Sequence, residues 1–141
     1  MLIKELTKDD MASLADLYFL FWNERSDVQK MQQQFPLMSE NYILLGCFEN
    51  DRLVGSVMGV VCMGLYGNCE SFLVVEDMVV DSTYRRRGIG KALFLELEKR
   101  AKIRNCTQVI LVTDADRLDA CGFYESIGFH PAKNKGYKKK L

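Results

Sequence analysis

Two neighbouring carboxylates, Glu76 and Asp77, interrupt an otherwise apolar run, Phe72-Leu73-Val74-Val75-Glu76-Asp77-Met78-Val79-Val80. On an extended strand successive side chains alternate between faces. Glu76 then shares one face with Phe72, Val74, Met78 and Val80. Asp77 shares the other with Leu73, Val75 and Val79. A carboxylate in apolar surroundings is costly unless paired, and desolvation lifts its pKa toward that of a useful base. One of the two can act as a base. The other can be a structural acid bonded to a neighbouring loop or helix.

A second group follows at once. Arg85-Arg86-Arg87 runs directly into Gly88-Ile89-Gly90, with Lys91 next and a helix-forming stretch behind it. A helix start leaves about four backbone N–H groups unpaired and carries partial positive charge. Glycines there let an anion approach the main chain closely, and arginines add charge around it. A phosphate cradle therefore explains both the glycines and the arginines. A nucleic-acid patch explains only the arginines, and a solvated cluster explains neither the glycines nor their position. The turn is not G-x-x-x-x-G-K-[ST]. Nor is it G-x-G-x-x-G, because Leu93 stands where the last glycine would be.

The third candidate is Tyr124, on a stripe with Ala120, Phe123 and Ile127 at i, i+3, i+4, i+7 spacing. By itself such a tyrosine reads as a core aromatic whose hydroxyl finds a partner.

The elements that must position these groups are legible from periodicity. Residues 9–24 and 27–34 read as helices, the second ended near Phe35-Pro36. YILLGCFE and LVGSVMGVVC, separated by NDR, read as a hairpin. Residues 72–80 form a central strand, 88–105 a long helix, 108–113 a second buried strand and 117–127 a further helix. GF at 128 and 129 ends that helix and starts a strand. KGYKKKL is expected as a short edge strand with its lysines in solvent. Strand, glycine turn, helix and strand make a βαβ unit, so 72–80 and 108–113 should run parallel in a mixed sheet.

The chain has 141 residues, the size of one domain spanning 1–141, and nearly half are apolar. Lys plus Arg equals Asp plus Glu, so any positive site is local. That argues against a protein built to coat nucleic acid or a membrane. Five cysteines without a C-x-x-C pair read as reduced thiols, not a disulfide framework or a metal site. No apolar run reaches the roughly 18 residues of a membrane span. With no signal peptide, the expected setting is cytoplasmic. His130 is the sole histidine, which excludes mechanisms needing two.

Taken with its lead-in, EDMVVDSTYRRRGIGKAL, the arginine–glycine turn resembles the [Q/R]-x-x-G-x-[G/A] signature of the GNAT superfamily of acetyl-CoA-dependent N-acetyltransferases. The second signature, A-x-x-F-Y-x-x-x-G-F, is matched by Ala120, Phe123, Tyr124, Gly128 and Phe129. The two stand in the right order with a strand between them, and together they are far more specific than either alone. The resemblance implies an α/β GNAT-like domain. Its central mixed sheet would hold a parallel βαβ unit splayed to admit coenzyme A, flanked by about four helices.

It also implies roles. Acetyl-CoA is the cosubstrate, with no metal. Its pyrophosphate is held by main-chain N–H groups from about Arg86 to Lys91, including those of Arg87, Gly88, Ile89 and Gly90, beside Arg85. Its pantetheine arm pairs with the backbone of Met78, Val79 and Val80. Ala120 and Phe123 belong to the second cofactor-binding signature. Glu76 is favoured as base, directly or through a water, where spermidine/spermine-type members carry theirs, and Asp77 as the structural acid. Tyr124 is the general acid for the thiolate. A main-chain N–H near Met78 is the expected oxyanion donor. Many relatives carry Asn where this chain has Leu118, which puts one side-chain contact to coenzyme A in doubt.

The function these features imply is acetyl transfer to a primary amine of a small molecule or peptide, by direct attack in a ternary complex. The alternatives are an acyl-CoA sensor of the same fold and, less well supported, a nucleic-acid-binding domain. The acceptor should meet the first helices and the loops around 25–40 and 63–70, with Glu24, Asp27, Glu40 and Glu70 as the acids of those segments. The expected partners are an amine acceptor and no nucleic acid or membrane, and a homodimer is allowed.

Overall fold

The computed structural model describes residues 1–130 and 133–141. It is a mixed α/β structure whose chain divides into two compact units, Met1–Ile110 and Leu111–Leu141. In chain order the elements are β1 (Leu2–Glu5), α1 (Met11–Trp22), α2 (Val28–Gln34), β2 (Tyr42–Glu49), β3 (Arg52–Cys62), β4 (Ser71–Val80), α3 (Ile89–Ile103), β5 (Cys106–Leu111) and α4 (Leu118–Ser126).

The strands form one sheet in sequential order, β1-β2-β3-β4-β5. Pairing is antiparallel from β1 to β4. The crossover through α3 makes β5 parallel to β4. Between β2 and β3 a two-residue turn places Asn50 and Asp51 at φ 49° and 61°. Positive φ at both positions is what matches a hairpin turn to the strand twist.

The register separates two faces. Leu44 pairs with Met58 and packs with Leu6, Met11, Leu14, Leu17 and Leu53 against α1. The alternate residues face α3. There Gly55 and Gly59 have no side chain to hold the helix off. A Cβ on Gly59 would stand 2.7 Å from Leu97 Cδ1, and one on Gly55 2.9 Å from Ile89 Cγ2. Ile89, Leu93, Phe94 and Leu97 are correspondingly buried. This close approach fixes the start of α3 against the sheet a few residues after β4 ends.

Three expectations change. Leu2–Glu5 is an edge strand that the sequence did not signal, because only Ile3 on it is even partly buried. The second parallel strand lies at Cys106–Leu111, two residues earlier than its apolar run suggested. The strand expected after Gly128-Phe129 falls partly on residues 131 and 132, outside those described. Residues 128–130 and 133–141 carry no strand, so the KGYKKKL tail is not an edge strand. Three consecutive lysines without an alternating apolar face have little to bury there.

Candidate active site

The central strand is not regular. Ser56 pairs with Val79 and Met58 with Glu76, so Val57 alone faces both Asp77 and Met78. This is a β-bulge, and Asp77 carries it at φ 50°. Asp is among the few non-glycine residues that accept this left-handed conformation. The extra residue reverses the alternation. Before the bulge, Phe72, Val74 and Glu76 lie on the face of Met58, toward α1 and α2. After it, Val79 lies on that face, within the α1 cluster, while Val80 joins Gly55 toward α3. The simple odd–even assignment therefore holds only as far as Glu76.

The two carboxylates are differently placed. Glu76 is exposed, beside Met58. Asp77 is partly buried, and no hydrogen bond or ion pair of its carboxylate is found among the described residues. Burial raises its pKa above the ordinary value. Its charge also reaches α1. The Tyr18 pKa is pushed far up, mainly by burial of the phenol and further by Asp77. The desolvation expected at Glu76 thus falls on Asp77.

Beyond β4 the chain is anchored by Asp81, a residue the motif reading passed over. Its carboxylate accepts from the Thr83 N–H at 2.9 Å, the Thr83 hydroxyl at 2.8 Å and the Arg52 guanidinium at 2.8 Å. Its own N–H donates to the Val54 carbonyl at 2.9 Å. Burial alone would raise the Asp81 pKa. The Thr83 hydrogen bonds and the Arg52 and Arg85 charges outweigh it and hold the group below its usual value. The signal was present as Asp-Ser-Thr, an Asx-type turn.

The arginine turn comes next. Arg86 and Gly88 both have positive φ, 59° and 79°, and Gly88 caps α3 with open space where a Cβ would sit. The first bond of α3 runs from the Ala92 N–H to the Gly88 carbonyl at 2.9 Å. The N–H groups of Ile89, Gly90 and Lys91 therefore lie outside the helix's own ladder. The three arginines are not equivalent. Arg85 stacks on Phe21 and donates to the Val80 carbonyl. Arg87 lies over Tyr84 and 4.0 Å from Glu49. Arg86 is exposed and makes no ion pair or ring contact among the described residues. Main-chain N–H groups outside the helix ladder beside an exposed guanidinium suit a phosphate group.

Together these features, a bulged strand running into an arginine–glycine turn and a long helix, coincide with a known family. The profile described as Acetyltransferase (GNAT) family matches residues 9–129. The chain belongs to the GNAT family of acetyltransferases. Acetyl-CoA is the cosubstrate general to that family. Among relatives, N-acetylaspartate synthetase of Xenopus tropicalis is 38% identical over 106 residues, 74% of this chain and 36% of that protein. Glucosamine 6-phosphate N-acetyltransferase of Trypanosoma brucei brucei is 42% identical over 55 residues, 39% of this chain and 35% of that protein. The chain thus spans about a third of the length of these curated relatives. A solved chain from Agrobacterium tumefaciens str. C58 superposes with TM-score 0.92 at 21% identity, each chain covered in full, which shows the same fold.

In the second unit, Tyr124 is partly buried on α4. Its ring meets Phe123 and Phe129 edge-on, with centroids at 5.3 and 5.7 Å. Burial raises the phenol pKa, against a smaller lowering by Arg117. Ala120 and Ile127 are also partly buried, and Leu118 is exposed. No residue of α4 is fully buried. Elsewhere, no group of three or more potential metal-binding side chains and no helix long and apolar enough to cross a membrane occur among the described residues.

Proposed function

We propose that the chain transfers an acetyl group from acetyl-CoA to a primary amine of a small molecule or peptide, by direct attack in a ternary complex. The observation that carries this is the continuity of the site. A bulged strand with two carboxylates leads, through the Asp81 anchor, into the arginine–glycine turn that caps α3. The names of the relatives, an N-acetylaspartate synthetase and a glucosamine 6-phosphate N-acetyltransferase, point to the same class of acceptor.

In this reading the N–H groups from Arg86 to Lys91 and the Arg86 guanidinium hold the pyrophosphate. The backbone of Met78, Val79 and Val80 aligns the pantetheine arm, and Ala120 and Phe123 are assigned to cofactor binding by the second signature. Coenzyme A supplies an activated thioester. Glu76, exposed on the α1–α2 face, takes the proton that the ammonium must lose, directly or through a water. A main-chain N–H near Met78 receives the charge developing on the thioester oxygen. Tyr124 donates its proton to the departing thiolate while the new C–N bond replaces C–S. A second reading, with Asp77 as base, is favoured by the burial that raises its pKa.

The test is Gly88→Glu, which puts bulk and negative charge into the open space of the cradle. The Kd for acetyl-CoA should rise at least ~10-fold, since a charge-assisted contact contributes about 1.5–3 kcal/mol. A folded variant with unchanged affinity would remove the cradle from the proposal.

A further inference from the structure

On the α1–α2 face lies a cavity of about 130 Å³, lined by Met11, Leu14, Tyr18, Met31, Gln34, Phe35, Met38, Leu44 and Met58. Four of its nine lining residues are methionines, and none carries a charge. Two separate observations tie this cavity to the bulge. Met58, in its wall, is the cross-strand partner of Glu76 and shares its face. Partners of this kind hold their Cβ atoms about 5 Å apart. Tyr18, also in its wall, feels the Asp77 carboxylate. The lining itself is apolar, and the Glu76 carboxylate stands next to its Met58 wall.

We propose that the acceptor is a monoamine bearing one apolar group about the size of a benzene ring, seated in this methionine-lined cavity with its ammonium at Glu76. The inference rests on the acetyl-transfer reading and names the substrate class of that site. The size follows from the volume, because an apolar cavity of roughly 150 Å³ holds benzene. The polarity follows from the lining. Apart from Gln34 and the Tyr18 hydroxyl it offers no polar side chain, so a carboxylate, phosphate or second ammonium placed there would lose its hydration without a partner. Methionine suits the role, because its unbranched thioether adapts to a guest and makes favourable contacts with aromatic rings.

Phenethylamine and ethanolamine probe the idea, with the full chain and acetyl-CoA. Burying a ring of this size should favour phenethylamine by roughly 10- to 100-fold in kcat/KM, followed as thiol release. Spermidine should be no better than ethanolamine. Independently of turnover, phenethylamine added to protein carrying ¹³C-methyl methionine should move the Met31, Met38 and Met58 signals. Met1 and Met63, exposed and outside the lining, should stay still. Met38→Trp, at a partly buried wall position, should cancel the preference for phenethylamine. If that variant does not fold, the methionine shifts of the native chain decide alone. Turnover that favours ethanolamine or spermidine overturns the acceptor class and leaves acetyl transfer standing. Methionine shifts without thiol release from any amine keep the cavity assignment and remove acetyl transfer. No methionine shifts at saturating phenethylamine overturn the proposal.

Discussion

Glu76 and Asp77 are adjacent in sequence but differ in burial, and pH separates them. If Glu76 is the base, Glu76→Gln lowers kcat/KM most at low pH, where little acceptor is already neutral. The loss shrinks as rising pH deprotonates the amine unaided. Asp77 behaves differently. Burial holds its native pKa above the unfolded value of about 3.9. Native stability therefore falls as pH rises through the native pKa. Asn is also comfortable at positive φ. Asp77→Asn should match or exceed the parent's melting temperature at pH 7, the gap closing below about pH 4. This reverses the loss of stability expected of a structural acid, since the Asp77 carboxylate has no bonding partner among the described residues. Paired pH–rate profiles and melting curves check both statements. A profile altered only by Asp77→Asn would transfer the role of base to Asp77.

Tyr124 belongs to the same scale. Burial keeps its phenol protonated beyond the usual pKa of about 10. The alkaline limb of kcat should then lie above pH 10. Tyr124→Phe should lower kcat by ~10²-fold with the Kd for acetyl-CoA nearly unchanged, and it should flatten that limb. Wild-type turnover in the variant would return Tyr124 to a packing role beside Phe123 and Phe129.

At the scale of elements, the junction from β4 to the arginine turn depends on Asp81. Three hydrogen bonds and the Arg52 charge favour its ionised form. Its native pKa therefore lies below the unfolded one. The stabilisation is complete above pH ~4 and is lost as pH falls through the native pKa. Asp81→Asn should cost about 1.5–3 kcal/mol at pH 7. The variant's stability should also depend less on pH below 4 than the parent's, as read by urea titrations at several pH values. A variant with unaltered midpoint at pH 7 would mean that the turn holds without this anchor.

At the scale of the molecule, charge is balanced, 19 basic against 19 acidic residues. The arginine run cannot therefore draw on a general positive field. Even if all three arginines met phosphates, duplex DNA binding would follow log salt with a slope no steeper than roughly −3. No saturable binding is expected near physiological salt. Fluorescence titration against a labelled duplex checks this, and a steeper slope would reveal a basic surface wider than the turn.

Local chemistry was enough to read the hairpin at Asn50-Asp51 and the long helix after Gly88. Each depends on backbone preferences within a few residues, and such preferences are written in residue type. The family signatures were local in the same sense. The bulge was not. Whether Asp77 or its neighbour absorbs the extra residue depends on register against Ser56, Val57 and Met58, some 20 residues earlier in the chain. Alternation then misplaces the residues that follow. The sorting of Arg85, Arg86 and Arg87 depended likewise on Phe21, Tyr84 and Glu49 coming within reach. The methionine-lined cavity joins residues 11 to 58 from four elements and an intervening turn, each by itself an ordinary apolar side chain. Sequence by itself determined where the carboxylates, the arginines and the glycine-capped helix start stand along the chain, because those are properties of single residues and short turns. Tertiary structure alone decided which carboxylate is desolvated and what lies beside it, because burial and field come from atoms distant in the chain.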